Sequence, residues 1–191
     1  PTMTQNFMNP HIWDNDVDEN GNGVMRNFSR NDLVTFKPYA LMTCQEGDVF
    51  DLGEGHQIEV VYTPGHASGG LSFLDVKNRI LFTGGMHSDN TFIVGGNKYY
   101  PYECTIEAFK DGLERLQNNY LHRFDQIFAG HEIVPLDSEY INNELQAVKD
   151  VLANRNCYEA SWSDSEGKTV CRHMVRDAGI RYYLDESFYI K

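Results

Sequence analysis

The stretch that most constrains the fold of this chain is residues 57–85, QIEVVYTPGHASGGLSFLDVKNRILFTGG. It contains three runs rich in β-branched and aromatic residues, which favour strands. The pair Lys77-Asn78 predicts a two-residue hairpin turn between the second and third runs. The first and second runs are joined by TPGHASGG, in which proline and three glycines permit a tight turn around His66. The pattern therefore predicts a β-sheet that holds one imidazole at the end of a strand.

A second histidine occurs in the same local context. Residues 126–131, QIFAGH, predict a short strand followed by Gly130 and His131. Imidazole is the commonest protein ligand of zinc, and glycine lets the backbone pass close to an ion without a Cβ clash. The two segments predict that His66 and His131 bind a metal ion. The alternative is that each is a turn histidine, exposed or bonded to a backbone carbonyl.

The rest of the chain adds helices. Apolar residues at helical spacing predict a helix over residues 103–119. Ser138 is predicted to cap a second helix with its own apolar face. Two segments near the end, KTVCRHMV and IRYYL, predict short strands or a strand and a loop. We therefore expect an α+β fold, with residues 1–40 as an irregular polar segment of the same domain as residues 41–191.

Charge and composition exclude some partners. The net charge of −12 and the absence of a basic run argue against a nucleic-acid partner, because phosphate backbones require lysine and arginine clusters. No apolar stretch reaches the roughly 18 residues needed to span a bilayer, so no membrane partner is expected. The four cysteines are scattered, which is typical of free thiols in a reducing compartment. These features predict a cytoplasmic location.

An acidic segment near the start resembles a calcium loop. Asp16, Asp18, Asn20 and Gly21 follow the D-x-D-x-N-G order, which suits calcium because oxygen ligands alternate before a glycine. The twelfth position is Asn27, where such loops carry a bidentate glutamate. The segment is therefore interpreted either as a calcium site on Asp16, Asp18 and Asn20 or as a hydrophilic turn.

The motifs T-P-G-H, L-F-T-G and the later G-H, in this order, resemble the second half of the metallo-β-lactamase superfamily over residues 45–150. The resemblance implies a four-layer αββα sandwich with a metal site at one edge, of which this chain holds only the second half. It implies His66 as ligand of one ion and His131 as ligand of another. The implied cofactor is zinc, or iron or manganese, with one or two ions in the complete domain.

The chain departs from that family at three points. The H-x-H-x-D-H segment is absent from these 191 residues. Gly85 stands where the family usually has an aspartate that bridges two metals. Met86 stands where some lactamases have a cysteine, and a thioether is a poor zinc ligand. His87 or Asp89 is the candidate substitute, and the alternative for His87 is an ordinary loop histidine.

Two functions follow from this resemblance. The first is a hydrolase in which metal-bound water attacks an ester, thioester, lactone or lactam carbonyl of a small-molecule substrate. It is catalytic only when the missing N-terminal half is supplied, so we expect this chain alone to be inactive. The second is a non-catalytic half-domain that acts by dimerisation or partner binding. The half-sandwich leaves a sheet face without its packing partner, so we expect a homodimer or an N-terminal half to cover it.

Overall fold

The computed structural model of the chain describes residues 17–23, 28–32, 40, 42–67, 69–87, 91–96, 102–131 and 134–189. The chain divides into two compact units, Pro1–Thr43 and Cys44–Lys191. In the first unit, Asp18 closes a turn, because its Oδ1 accepts hydrogen bonds from the backbone N–H groups of Asn20 and Asn22 at 2.9 and 2.8 Å. These bonds, the Asn22 bond foremost, lower the pKa of Asp18. Asp16 of the predicted calcium loop lies outside the described residues.

The described residues of the second unit form two sheets. The first has six strands in the order β1-β2-β3-β4-β6-β7, namely β1 (Val49–Asp51), β2 (Gln57–Tyr62), β3 (Leu71–Asp75), β4 (Ile80–Gly84), β6 (Gln126–Ala129) and β7 (Leu136–Asp137). The second has the order β5-β10-β9-β8, namely β5 (Thr91–Ile93), β10 (Ala178–Tyr183), β9 (Thr169–Val175) and β8 (Ala160–Ser163). Strand β4 is parallel to β6, and β5 is parallel to β10. The other pairs are antiparallel.

The hairpin between β3 and β4 differs from the prediction. Asp75 pairs with Ile80, so the loop has four residues, 76–79, and the predicted two-residue turn at Lys77-Asn78 is wrong. The Asp75 carboxylate accepts bonds from the backbone and side-chain amides of Asn78 at 3.0 and 2.9 Å. Arg79 closes the loop in the left-handed conformation, with φ of 58°. Side-chain capping by Asp75 thus selects a wider loop than the dipeptide alone indicates.

Both predicted helices are present. Helix α1 (Ile106–Asn119) begins after Thr105, whose Oγ1 accepts a hydrogen bond from the Ala108 N–H. Helix α2 (Tyr140–Ala153) begins after Glu139 and has no side-chain cap, so the predicted Ser138 cap is wrong. Ser138 contributes its carbonyl instead, which accepts a bond from the Ile141 N–H. The chain turns into α2 through β7, which leaves Ser138 one residue too early to cap the helix.

One core connects these elements. The buried face of the six-stranded sheet, the apolar faces of both helices and buried residues of β9 and β10 belong to one cluster. Helix α2 contacts α1, β9 and β10. The arrangement confirms the predicted α+β class. All four cysteines are free thiols.

No helix among the described residues combines the length and the apolar character that a membrane crossing requires.

Candidate metal centre

The sheet topology brings the two glycine–histidine motifs to one edge. Strand β2 is antiparallel to β3, β3 is antiparallel to β4, and β4 is parallel to β6. Strands β2, β4 and β6 therefore run in the same direction, and their carboxyl ends meet at the same edge of the sheet. His66 follows β2, Gly85 follows β4 and His131 follows β6. Ligands were predicted at strand ends, and the fold gathers these strand ends together.

Two glycines shape the turn that carries His66. Gly65 has a left-handed φ of 121°, and a Cβ at this position would collide with the Phe109 side chain. A Cβ on Gly70 would collide with the Thr63 carbonyl oxygen and lie 2.9 Å from the Met86 sulfur. The turn is closed by a bond from the Thr63 N–H to the Gly70 carbonyl at 2.9 Å. Both positions therefore require glycine, and Met86 is buried against the turn.

Among the described residues, a backbone carbonyl orients the His66 ring through one of its two nitrogens. Its Nδ1 lies 2.7 Å from the backbone carbonyl oxygen of Phe92 in β5. A carbonyl only accepts hydrogen bonds, so Nδ1 donates this bond, and in the neutral tautomer with that donor the lone pair is on Nε2. Metal-binding histidines are commonly oriented by such a bond from the second nitrogen.

The two imidazoles converge at Gly85. The position that a Cβ on Gly85 would occupy lies 3.4 Å from His66 Nε2 and 3.7 Å from His131 Nε2. Both ring nitrogens therefore border the same small region of space, His66 half-buried and His131 exposed. The fold therefore brings the two predicted ligands, His66 and His131, to the same position beside Gly85.

Within the part of the chain that the structure describes, no three His, Cys, Asp or Glu side chains form a group that could hold a metal ion. The two predicted ligands, His66 and His131, are thus fewer than the three or so protein ligands that a hydrolytic zinc has. Asp89, a predicted substitute ligand, lies outside the described residues.

His87, the other predicted substitute, belongs to a buried network. Its Nδ1 lies 2.5 Å from Glu144 Oε2 in α2, and the ring stacks on Phe109 with centroids 5.6 Å apart. Thr91 donates a hydrogen bond from Oγ1 to Glu144 Oε1 at 2.8 Å. His87 is 1% exposed and Glu144 is fully buried. His87 Nε2 is buried and has no hydrogen-bond partner among the described residues. The network joins the loop after β4 to helix α2.

Glu144 is a buried residue of this network that was not predicted from the sequence. A usable signal was present, because Glu144 stands three residues after Ile141 and four before Val148, within the apolar stripe of α2. A carboxylate in such a stripe requires a buried partner.

Comparison with known proteins gives one curated relative and several solved structures. No family model matches the chain. A hydroxyacylglutathione hydrolase from Mesorhizobium japonicum is 32% identical over 90 residues, which cover 47% of this chain and 32% of that protein. The chain thus spans about a third of the length of the curated relative that it matches.

The solved structures that are similar to part of the chain include two with lactamase in their names. A metallo-β-lactamase from Pontibacter korlensis is 20% identical with a TM-score of 0.43, over 56% of this chain and 48% of that one. A β-lactamase domain protein from Burkholderia ambifaria is 17% identical with a TM-score of 0.48, over 68% of this chain and 40% of that one. The chain is therefore similar in sequence to part of a hydroxyacylglutathione hydrolase, and its ordered glycine–histidine motifs resemble those of the metallo-β-lactamase superfamily.

Proposed function

We propose that this chain is the second half of a metal-dependent hydrolase domain with the metallo-β-lactamase fold. The observation that carries the proposal is the convergence of His66 Nε2 and His131 Nε2 on the position facing Gly85. Similarity to a protein named hydroxyacylglutathione hydrolase supports hydrolysis as the reaction class. The proposed substrates are small molecules with an ester, thioester, lactone or lactam carbonyl.

In this proposal His66 and His131 hold zinc, or iron or manganese. A bound metal of this kind supplies an acidified water as the nucleophile. The Phe92 carbonyl keeps the His66 ring in the tautomer that presents Nε2. Further ligands come from an N-terminal half, and the 191-residue chain by itself is inactive as a hydrolase.

Cobalt binding tests the proposal, because Co²⁺ takes the same ligands as zinc and gives a visible spectrum. We expect the chain to bind Co²⁺, and we expect His66→Ala and His131→Ala each to weaken binding by more than about tenfold, since even outer-shell changes cost that much. His122→Ala is the matched control, because His122 is exposed on the turn after α1. Equal binding by all four proteins, or by none of them, would contradict the metal site.

A second candidate function has its own supporting observation. Phe50 and Phe82, on the face of the six-stranded sheet that turns away from Leu74 and Leu81, are 36% and 40% exposed. Exposed aromatic side chains on a sheet favour a role in association. Under this alternative the chain is a non-catalytic half-domain that pairs with a second copy, and His66 and His131 bind no metal.

A further inference from the structure

Strand β5 connects the two sheets through the His66 ring. It has three residues, Thr91–Ile93, and is an edge strand of the four-stranded sheet that the described residues form. The carbonyl of its middle residue, Phe92, accepts the bond from His66 Nδ1, and His66 follows β2 of the other sheet. An edge strand presents backbone groups that no neighbouring strand holds. The position of the Phe92 carbonyl therefore depends on what holds β5.

A buried hydroxyl holds the start of β5. Thr91 is fully buried, and its Oγ1 donates a hydrogen bond of 2.8 Å to Glu144 Oε1 in α2. Glu144 is itself fully buried, and its other carboxylate oxygen lies 2.5 Å from His87 Nδ1. A buried carboxylate oxygen that loses its donor costs more free energy than an ordinary hydrogen bond contributes, so this bond is strongly favoured. Helix α2 thus fixes the residue before Phe92.

A second buried hydroxyl holds the other end of β5. Ser187 is fully buried, and its Oγ donates to the Ile93 carbonyl at 2.5 Å and accepts a bond from the Tyr183 N–H at 2.8 Å. Tyr183 is the last residue of β10, the strand that pairs with β5. The Ser187 carbonyl also accepts a bond from the Ile106 N–H at the start of α1. Ser187 thus ties the residue after Phe92 to both β10 and α1.

We propose that Thr91 and Ser187 are positioning residues for His66, which act through the Phe92 carbonyl. With both neighbours of Phe92 fixed, its carbonyl oxygen stays within hydrogen-bond distance of Nδ1, and the neutral His66 ring keeps its proton on Nδ1. The tautomer of a histidine is set by the hydrogen bond that one of its nitrogens makes, so a ring released from this bond exchanges between both tautomers. The inference deepens the proposed function, on which it rests for the use of Nε2 as a ligand atom.

The nitrogen-15 chemical shifts of the His66 ring test the proposal, because a protonated and an unprotonated ring nitrogen differ widely in shift. Spectra of the metal-free chain are recorded at about pH 9, above the ordinary histidine pKa of about 6.5, and His66→Ala identifies the signals. Thr91→Val and Ser187→Ala each remove one hydroxyl. We expect each to lower the ratio of the Nδ1–H to the Nε2–H tautomer at least about threefold, the effect of one ordinary hydrogen bond.

Two further variants separate positioning from a general loss of stability. Thr91→Ser restores the hydroxyl and should restore the wild-type ratio. Tyr182→Phe is the matched control, because it removes a fully buried hydroxyl of the same sheet that donates to the Arg155 carbonyl at 2.7 Å. It should keep the wild-type ratio, and circular dichroism checks that each variant is folded.

Three results would overturn the positioning role. They are a wild-type ring that is mainly the Nε2–H tautomer, folded Thr91→Val and Ser187→Ala variants with the wild-type ratio, and a Tyr182→Phe variant with as large a change. The outcome is separate from that of the metal test. If the tautomer ratio responds as expected but Co²⁺ does not bind, the metal site is overturned and the positioning role stands. If Co²⁺ binds through His66 and His131 but the ratio does not respond, the positioning role is overturned and the metal site stands.

Discussion

At the scale of single residues, Glu46 joins three parts of the second unit. Its Oε2 accepts a bond from the Tyr62 N–H and pairs with Arg115 Nη1, both at 2.6 Å. Its Oε1 accepts a bond from the Tyr120 hydroxyl at 2.8 Å. Burial raises the pKa of the Glu46 carboxyl, but Arg115 and the two hydrogen bonds outweigh burial and hold it below the ordinary value. The ionised form is therefore the one that the fold stabilises.

This lowered pKa predicts a loss of stability in acid. A carboxylate whose pKa is lower in the folded than in the unfolded protein stabilises the fold at pH values above the unfolded-state pKa. This stabilisation is lost as the pH falls through the folded-state pKa. Below the ordinary value of 4.5, the unfolding free energy of wild type should fall more steeply with pH than that of Glu46→Gln. Urea unfolding at a series of pH values measures this. The exposed Glu54→Gln should follow wild type, and parallel curves for Glu46→Gln and wild type would refute the expectation.

The structure has strand ends where a local sequence pattern predicted them. The strand ends before His66 and His131 follow from β-formers that stop at a glycine, and the structure has them there. The predictions of a two-residue hairpin turn and of a Ser138 cap were wrong because nearby aspartates bond the backbone there. Asp75 accepts a hydrogen bond from the Asn78 N–H, and Asp137 accepts one from the Glu139 N–H. Glu144 and His87 meet across 57 positions, a distance that no local pattern encodes.

At the scale of elements, the pair His87–Glu144 fixes helix α2 to the loop that carries Gly85. Both groups are excluded from solvent, and His87 has a left-handed φ of 52°. A buried ionisable pair costs desolvation energy, and a strained backbone adds to that cost. The surrounding structure must hold the loop in this conformation, two residues after the glycine that faces the imidazoles.

Breaking this pair should destabilise the protein strongly. Glu144→Ala leaves His87 buried without its partner, and we expect a loss of about 3 to 5 kcal/mol in unfolding free energy. Lys149→Ala on the same helix removes only an exposed ion pair with Glu114, so about 1 kcal/mol or less is expected. Urea unfolding compares the two.

A double variant distinguishes the loss of the His87–Glu144 pair from a general destabilisation of helix α2. His87→Phe with Glu144→Leu replaces both partners by apolar groups, which is often neutral or stabilising for a buried pair. It should recover most of the stability lost in Glu144→Ala. A double variant as unstable as the single one would contradict the role of the unpaired imidazole.

At the scale of the whole molecule, the six-stranded sheet has two unequal faces. Side chains directly opposite in neighbouring strands share a face. Val61, Leu74, Leu81 and Ile127 lie in the core on one face. The register Phe73–Phe82–Phe128 puts an aromatic row on the other, with the Phe82 and Phe128 rings 5.7 Å apart. The composition of this second face is that of a packing surface rather than a solvated one.

This aromatic row, in which Phe82 is 40% exposed and Phe73 and Phe128 are half-buried, predicts that the 191-residue chain associates with a second copy. Burying a phenylalanine contributes about 1.5 to 3 kcal/mol. Phe82→Glu should therefore weaken self-association by at least about tenfold, the change that 1.4 kcal/mol produces. Sedimentation equilibrium over a range of concentrations measures the association constant. Trp162→Glu is the matched control, because Trp162 is 42% exposed on the four-stranded sheet. If the wild-type chain is a monomer at every concentration, or if the two substitutions have equal effects, this face does not pair copies of the chain. The N-terminal half of the proposed hydrolase would then be its proposed partner.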